Sequence, residues 1–207
     1  GLDSPKIAAY VFSQASDGAL SVTNPVELAA NGDSPVTAYD ASTGMIATAY
    51  RDKANSYYGT MVIGAISGTT YSKGTAVVFE SGNPNEISIA AGNGRALAVF
   101  QDASDNKAKS RLGVITAGTK AVAFESEVAV DDTATVSKTS ISFDATQNKF
   151  LVAWQRTGNT SPGVWLAAGS LSGNTISYGT AYNFPGNTAN NNTFASPEVA
   201  FDSGSGK

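Results

Sequence analysis

Three stretches of this chain are spaced copies of one another, and that spacing constrains the fold more than any other feature. IATAYRD at 46–52, ALAVFQD at 96–102 and FLVAWQR at 150–156 each read as a short apolar strand ending on an aromatic residue: Tyr50, Phe100 or Trp154. The aromatics recur after 50 and then 54 residues. The glycines that close the next apolar run (Gly18, Gly68, Gly118, Gly173) recur at intervals of 50, 50 and 55. A strand ahead of the first landmark is visible as VTAYD at 36–40, SISFD at 140–144 and EVAFD at 198–202, with a weaker ISIAA at 87–91. Self-similarity at a fixed period signals one supersecondary unit used repeatedly, each unit burying its apolar face on its neighbour.

Each period accommodates four strands. The first full unit reads 35–40, 45–51, 58–67 and 70–79; the second 86–91, 95–101, 110–117 and 121–130; the third 139–144, 149–155, 163–172 and 175–184. Four strands in about 50 residues is the period of a propeller blade. The expected fold is therefore all-β, a β-propeller-type repeat of four-stranded antiparallel blades, within a single domain over 1–207. Blade repeats are expected at about 35–79, 86–130 and 139–184.

Composition agrees: 42% of residues are hydrophobic, 14% are charged and 21 are glycine, suiting many short strands joined by tight turns. The middle strands have no polar face, as Phe150, Val152 and Trp154 alternate with Leu151 and Ala153. Such a strand is buried on both sides, which suits blades stacked face to face. Gly64, Ala65 and Gly113 are expected to keep inner strands thin where backbones approach closely. The more polar fourth strands, such as 71–80, suit an outer edge.

At the start, 7–14 fits a third strand, giving a partial blade over 7–28; FSQASD at 12–17 also resembles FQDASD at 100–105, which would make it a second strand. At the end, 198–202 fits a closing strand or the first strand of a next blade. Three full blades with incomplete ones on either side is the expectation for a portion of a longer polypeptide; otherwise the last strand would join the first two and close a four-bladed ring.

Composition also excludes chemistry. The net charge is −4 and no basic stripe is present, which disfavours binding to a nucleic-acid backbone. Without cysteine or histidine the chain has no thiolate chemistry, no Ser-His-Asp triad and no His- or Cys-ligated metal site. No apolar run approaches the roughly 20 residues of a membrane-spanning helix.

The segment YGTMVIGAISGTTYSKGTAVVF at 58–79 resembles a unit that recurs in virion structural proteins of marine bacteriophages, and VWLAAGSLSGNTISYGTAYNF at 164–184 is a looser copy. The likeness extends over about 35–202, with a shorter third strand at 110–118 and an expanded loop at 185–197. It implies a virion, extracellular location and a fibre, appendage or decoration role. The implied partners are other virion proteins, further copies of the chain and host-surface glycans. The motif has no catalytic signature and carries no functional residues over.

Candidate chemistry must then come from single residues. Sialidase-like propellers carry Ser-x-Asp-x-Gly-x-Thr-Trp boxes, and none occurs here. Arg51, Arg95, Arg111 and Arg156 could clamp a carboxylate, with Arg51 and Arg156 expected on one rim. Asp52 and Asp102 occupy equivalent rim positions and could pair for hydrolysis, although aspartates at turns more often cap them. DASDN at 102–106 and the Asp131–Asp132 pair are weak hints of calcium, the one cofactor considered; otherwise none is expected. Tyr39–Asp40, Phe143–Asp144 and Phe201–Asp202 look like strand-end turn starters. Tyr57 and Tyr58 lie at a turn and could stack on a sugar ring. The Asn-rich loop 185–195 could contact a partner or a glycan; Asn191 within it and Asn159 stand in glycosylation sequons. The expected site is a non-catalytic rim of Arg51, Asp52, Tyr57, Tyr58, Asp102, Arg156 and Asn191, with no metal ligands.

Overall fold

The apolar alternation becomes antiparallel sheet in the computed structural model, which describes residues 5–157, 162–184 and 197–202. Successive residues of an extended chain face opposite sides, so runs apolar at every position form strands covered on both faces. The chain is all-β, and its sheets are antiparallel.

Near the start, β1 (Ile7–Ala9) pairs with β4 (Val26–Ala29), and β2 (Phe12–Gln14) pairs with β3 (Leu20–Val22). The first large sheet follows in chain order: β5 (Gly32–Asp40), β6 (Met45–Asp52), β7 (Tyr58–Ser67) and β8 (Thr70–Lys73), with β9 (Val77–Glu80) also on β7. The second sheet is β10 (Asn85–Gly92), β11 (Arg95–Gln101), β12 (Ala108–Thr116) and β13 (Ala121–Phe124), with β14 (Val128–Asp131) on β12. The third is β15 (Thr135–Asp144), β16 (Lys149–Thr157), β17 (Gly163–Ser172) and β18 (Thr175–Tyr178), with β19 (Tyr182–Asn183) on β17.

The fourth strands differ from expectation. Each of 70–79, 121–130 and 175–184 is two short strands, one on each half of the third strand. The chain leaves the ladder between the halves while keeping one bond to it: Gly74 N, Glu125 N and Gly179 N donate to Ile63 O, Leu112 O and Ala168 O. At the first detour only glycine fits, because a Cβ on residue 74 would lie 2.0 Å from the Lys120 carbonyl of the next sheet. Residues 7–14 show the same arrangement, with β1 and β2 as a broken third strand and β3 and β4 as the divided fourth.

Two more expectations change. Gly64 and Gly113 make room for outer-strand side chains rather than for backbone: a Cβ on Gly64 would meet the Tyr71 hydroxyl at 2.1 Å, and one on Gly113 the Val122 side chain at 2.6 Å. Residues 198–202 form no ladder among the described residues; Val199 N instead donates to Ser140 Oγ on β15.

Three apolar clusters hold the sheets. One joins β1 and β4 to the first sheet through Ile7, Leu28 and Tyr50; a second joins the first sheet to the second through Met61, Phe79 and Phe100; a third joins the second to the third through Leu97, Phe150 and Trp154. Tyr50, Phe100 and Trp154 are all fully buried, and each packs back onto the preceding unit. The first strands run side by side, β10 touching both β5 and β15. Their common end is where the candidate site forms.

Candidate functional site

Each first strand carries an irregularity near its start. Pairing skips between Asp33 and Val36, between Asn85 and Ser88, and between Val136 and Lys138. Bulges bend a strand and re-aim its side chains. Two of these hold residues in left-handed backbone, Ser34 at φ 52° and Glu86 at φ 50°. Non-glycine residues avoid that region, at a cost of about 1–3 kcal/mol each.

Between the bulged ends lies a cavity of about 650 Å³ lined by Ser34, Pro35, Val36, Arg51, Asn85, Glu86, Ile87, Gln101 and Lys138. All three large sheets contribute. Arg51 grips Asp33 with two bonds, Nε to Oδ1 at 2.7 Å and Nη2 to Oδ2 at 2.9 Å, and its Nη1 donates to Asn85 Oδ1 on the second sheet at 2.9 Å. Lys53 adds a third contact to Asp33. The hydrogen bond from Arg51 outweighs burial and holds the Asp33 carboxyl below the usual range. Lys138 on the third sheet donates to both oxygens of Glu86, at 2.9 and 2.8 Å. Gln101 Nε2 donates to the Val136 carbonyl, and Thr139 Oγ1 to the Glu86 carbonyl. The cavity therefore sits between two polar clasps that tie neighbouring sheets.

The residues expected at the rim separate. Arg51 lines the cavity; Tyr57, 42% exposed and at φ 63°, lies beside it with its ring centroid 5.5 Å from the guanidinium carbon. Tyr58 is half-buried at the start of β7. Arg156 does not share the Arg51 rim environment. It bonds Asp131 and covers Trp165 at 3.7 Å. Arg51 directly follows its landmark aromatic, whereas Arg156 stands two residues after Trp154, and adjacent strand positions face opposite sides. Arg95 reaches Asn174 Oδ1 at 2.7 Å, while the buried Arg111 Nε has no hydrogen-bond partner among the described residues.

The aspartates work as turn caps. Asp52 accepts from Ala54 N, and Asp102 from Ser104 N. Asp40 accepts from Ser42 and Thr43, and Asp144 from Thr146 N and Gln147 N. Asp131 is buried beneath Arg156 and Trp154, and Asp132 is exposed. Among the described residues no three acidic groups converge to hold a metal. Asn191, Asn159 and the loop 185–195 lie outside the described residues.

One carboxylate pair escaped the sequence reading. Burial and the neighbouring Glu127 raise the pKa of Glu80. Glu80 Oε1 accepts from Gly82 N at 2.7 Å, and Glu127 Oε1 from Lys109 Nζ at 3.4 Å. Lys109 stands beside them, 3.4 Å from Glu127 and from Asp105 and 4.0 Å from Asp102.

Asp33, Asn85, Glu86, Gln101 and Lys138 were also missed. Pro35 was the available signal, since a proline inside a strand marks an edge or a bulge. Pro84, directly before Asn85, is a comparable mark at the second bulge. Neither protein-family models nor curated proteins match this chain.

Proposed function

We propose that this chain is a non-catalytic attachment or scaffolding module of propeller type, with its sheets set as blades and its binding surface at the bulged rim. The observation that carries the reading is the use of the rim charges: Arg51, Asp33, Glu86, Lys138, Asp131 and Arg156 are engaged with one another across or within sheets. Charges committed in this way hold neighbouring sheets in register and present a fixed polar surface. A hydrolase needs instead a carboxylate pair spaced around a substrate bond. The side-by-side first strands and the apolar layers between sheets support the blade arrangement. The virion setting rests on the resemblance of 58–79 to phage structural repeats.

Two experiments test the proposal. Purified chain is incubated with host-surface polysaccharide and assayed for retention and for new reducing ends. Retention without cleavage is expected; cleavage lost on Asp102→Asn or Glu80→Gln would replace the attachment reading with a glycan hydrolase. Antibody raised against the chain should label purified phage particles by electron microscopy, and failure to label them would remove the virion setting.

A further inference from the structure

The cavity at the bulged ends has more structure than a clasp between sheets needs. The clasps, Arg51 with Asp33 and Asn85, and Lys138 with Glu86, are complete without any ligand. Yet they border about 650 Å³ of open space, within the 300–1,000 Å³ common for small-molecule sites. The left-handed backbone of Ser34 and Glu86 sits on its border, and sparsely populated backbone of this kind gathers at binding sites.

The lining identifies the ligand class. Asn85, Gln101 and Glu86 are planar groups with two polar atoms each in a fixed fork, and the Arg51 guanidinium keeps two of its five N–H groups beyond the three spent on Asp33 and Asn85. Forks of this kind match two neighbouring hydroxyls. Each cation on the lining already faces a carboxylate: Arg51 has Asp33, and Lys138 has Glu86. An anionic ligand would have to displace one of those partners, whereas a neutral hydroxylated one need not. Pro35, Val36 and Ile87 supply an apolar patch for the C–H face of a ring. Tyr57 stands beside Arg51 as an exposed aromatic.

We propose that this cavity binds a neutral sugar residue of a surface glycan through vicinal hydroxyls, with Glu86, Asn85, Gln101 and Arg51 as its polar contacts. The inference rests on the attachment reading and supplies its recognition site. An open polar site gains little from burial, so its affinity for one sugar is low. Several copies of the chain on one glycan would raise it by avidity.

The test uses the full chain with glucose, galactose and mannose as probes, followed by saturation-transfer NMR, with glucuronic acid and inorganic phosphate run in parallel. At least one neutral hexose is expected to bind saturably, with a dissociation constant on the order of 1 mM. Glu86→Gln and Gln101→Leu should each weaken that binding about tenfold, the loss of one hydrogen bond to a charged or buried group. Tyr182→Ala, on the third sheet, should leave it unchanged. If either cavity variant loses its cooperative melt, Asn85→Ala, at another of the proposed contacts, probes the same cavity and should weaken binding by a similar factor.

Binding by none of the hexoses, binding of glucuronic acid or phosphate alone, or hexose binding untouched in folded cavity variants would each overturn the site. The polysaccharide retention assay reads the attachment function separately. Retention that persists in these variants sinks this cavity and leaves the module standing, whereas loss of retention by the unmodified chain sinks the module.

Discussion

The interface between the first and second sheets and the one between the second and third each have an apolar cluster, but the aromatic wedge within it meets opposite chemistry. In the first, Phe79 on β9 meets Phe100 on β11 with ring centroids 5.5 Å apart, and Phe124 closes the group at 5.9 Å. In the second, Trp154 takes the place of Phe100, and its Nε1 donates to Asp131 on β14 at 2.7 Å. Arg156 bonds the same carboxylate and lies over Trp165. One wedge is held by dispersion and exclusion of water, the other by a buried charge with its partners. The repeat thus prescribes where an aromatic wedge must sit, and leaves open whether its neighbour is greasy or ionic.

That contrast can be broken first at the apolar wedge. Phe100→Ala should cost about 3–5 kcal/mol in urea unfolding, because a fully buried ring leaves a cavity that its neighbours only partly fill. The cost should be the same at neutral and mildly acidic pH. A loss below about 1 kcal/mol would mean that the layer collapses freely, against the packing argument.

Arg156→Ala should cost about 3 kcal/mol, since the Asp131 side chain is 1% exposed and would keep a buried charge without its main partner. The double replacement Asp131→Leu with Arg156→Met should recover most of that loss in the same unfolding experiment. If the double variant is as unstable as the single one, the interface depends on the ion pair itself rather than on neutrality.

Acid should separate the interfaces next. Burial alone would raise the Asp131 pKa, but hydrogen bonds from Arg156, Thr133 and Trp154 more than offset it and hold the carboxyl below its ordinary value. A carboxyl with a lowered folded-state pKa contributes stability that is full at neutral pH and fades as pH drops below about 4, through the folded value. The melting temperature should therefore fall on acidification through that window, and less steeply in Asp131→Asn. Asp33 and Asp40 act in the same direction, so the difference in slope is the measurement. Equal slopes would remove Asp131 from the account.

The smallest effect concerns two aspartates at matching hairpins. Asp40 is fully buried and accepts from Ser42, Thr43 and, across the sheet boundary, Gly94 N at 2.8 Å. Asp144 bonds its own turn. Asp40→Ala should cost about 2 kcal/mol and Asp144→Ala less than about 1 kcal/mol by urea unfolding. Equal costs would show that the cross-sheet bond adds nothing.

Much of this was legible in the chain. Spacing between Tyr50, Phe100 and Trp154 located the middle strands, and their alternation showed burial on both faces. The turn role of Asp52, Asp102, Asp40 and Asp144 followed from short-range chemistry, a side-chain oxygen reaching an amide two residues on. The divided fourth strands were not legible, because the breaks fall at Gly74, Glu125 and Gly179, which share no residue type that would mark them. The separation of Arg51 from Arg156 was legible, because it turns on a one-residue offset from the landmark aromatic, and adjacent strand positions face opposite sides.

By itself, the sequence determined the all-β character, the repeat and the positions of its aromatic wedges. Those depend on periodicity within a few residues and on glycine and aspartate at turns, which act locally. Only the tertiary structure decided which charge meets which. Lys138 reaches Glu86 across 52 residues of chain, and Arg51 reaches Asn85 across 34. Those encounters depend on how bulged strands from three sheets converge, and so does the cavity they enclose. A bulge of one or two residues re-aims every side chain near it without changing the apolar pattern that marks the strand.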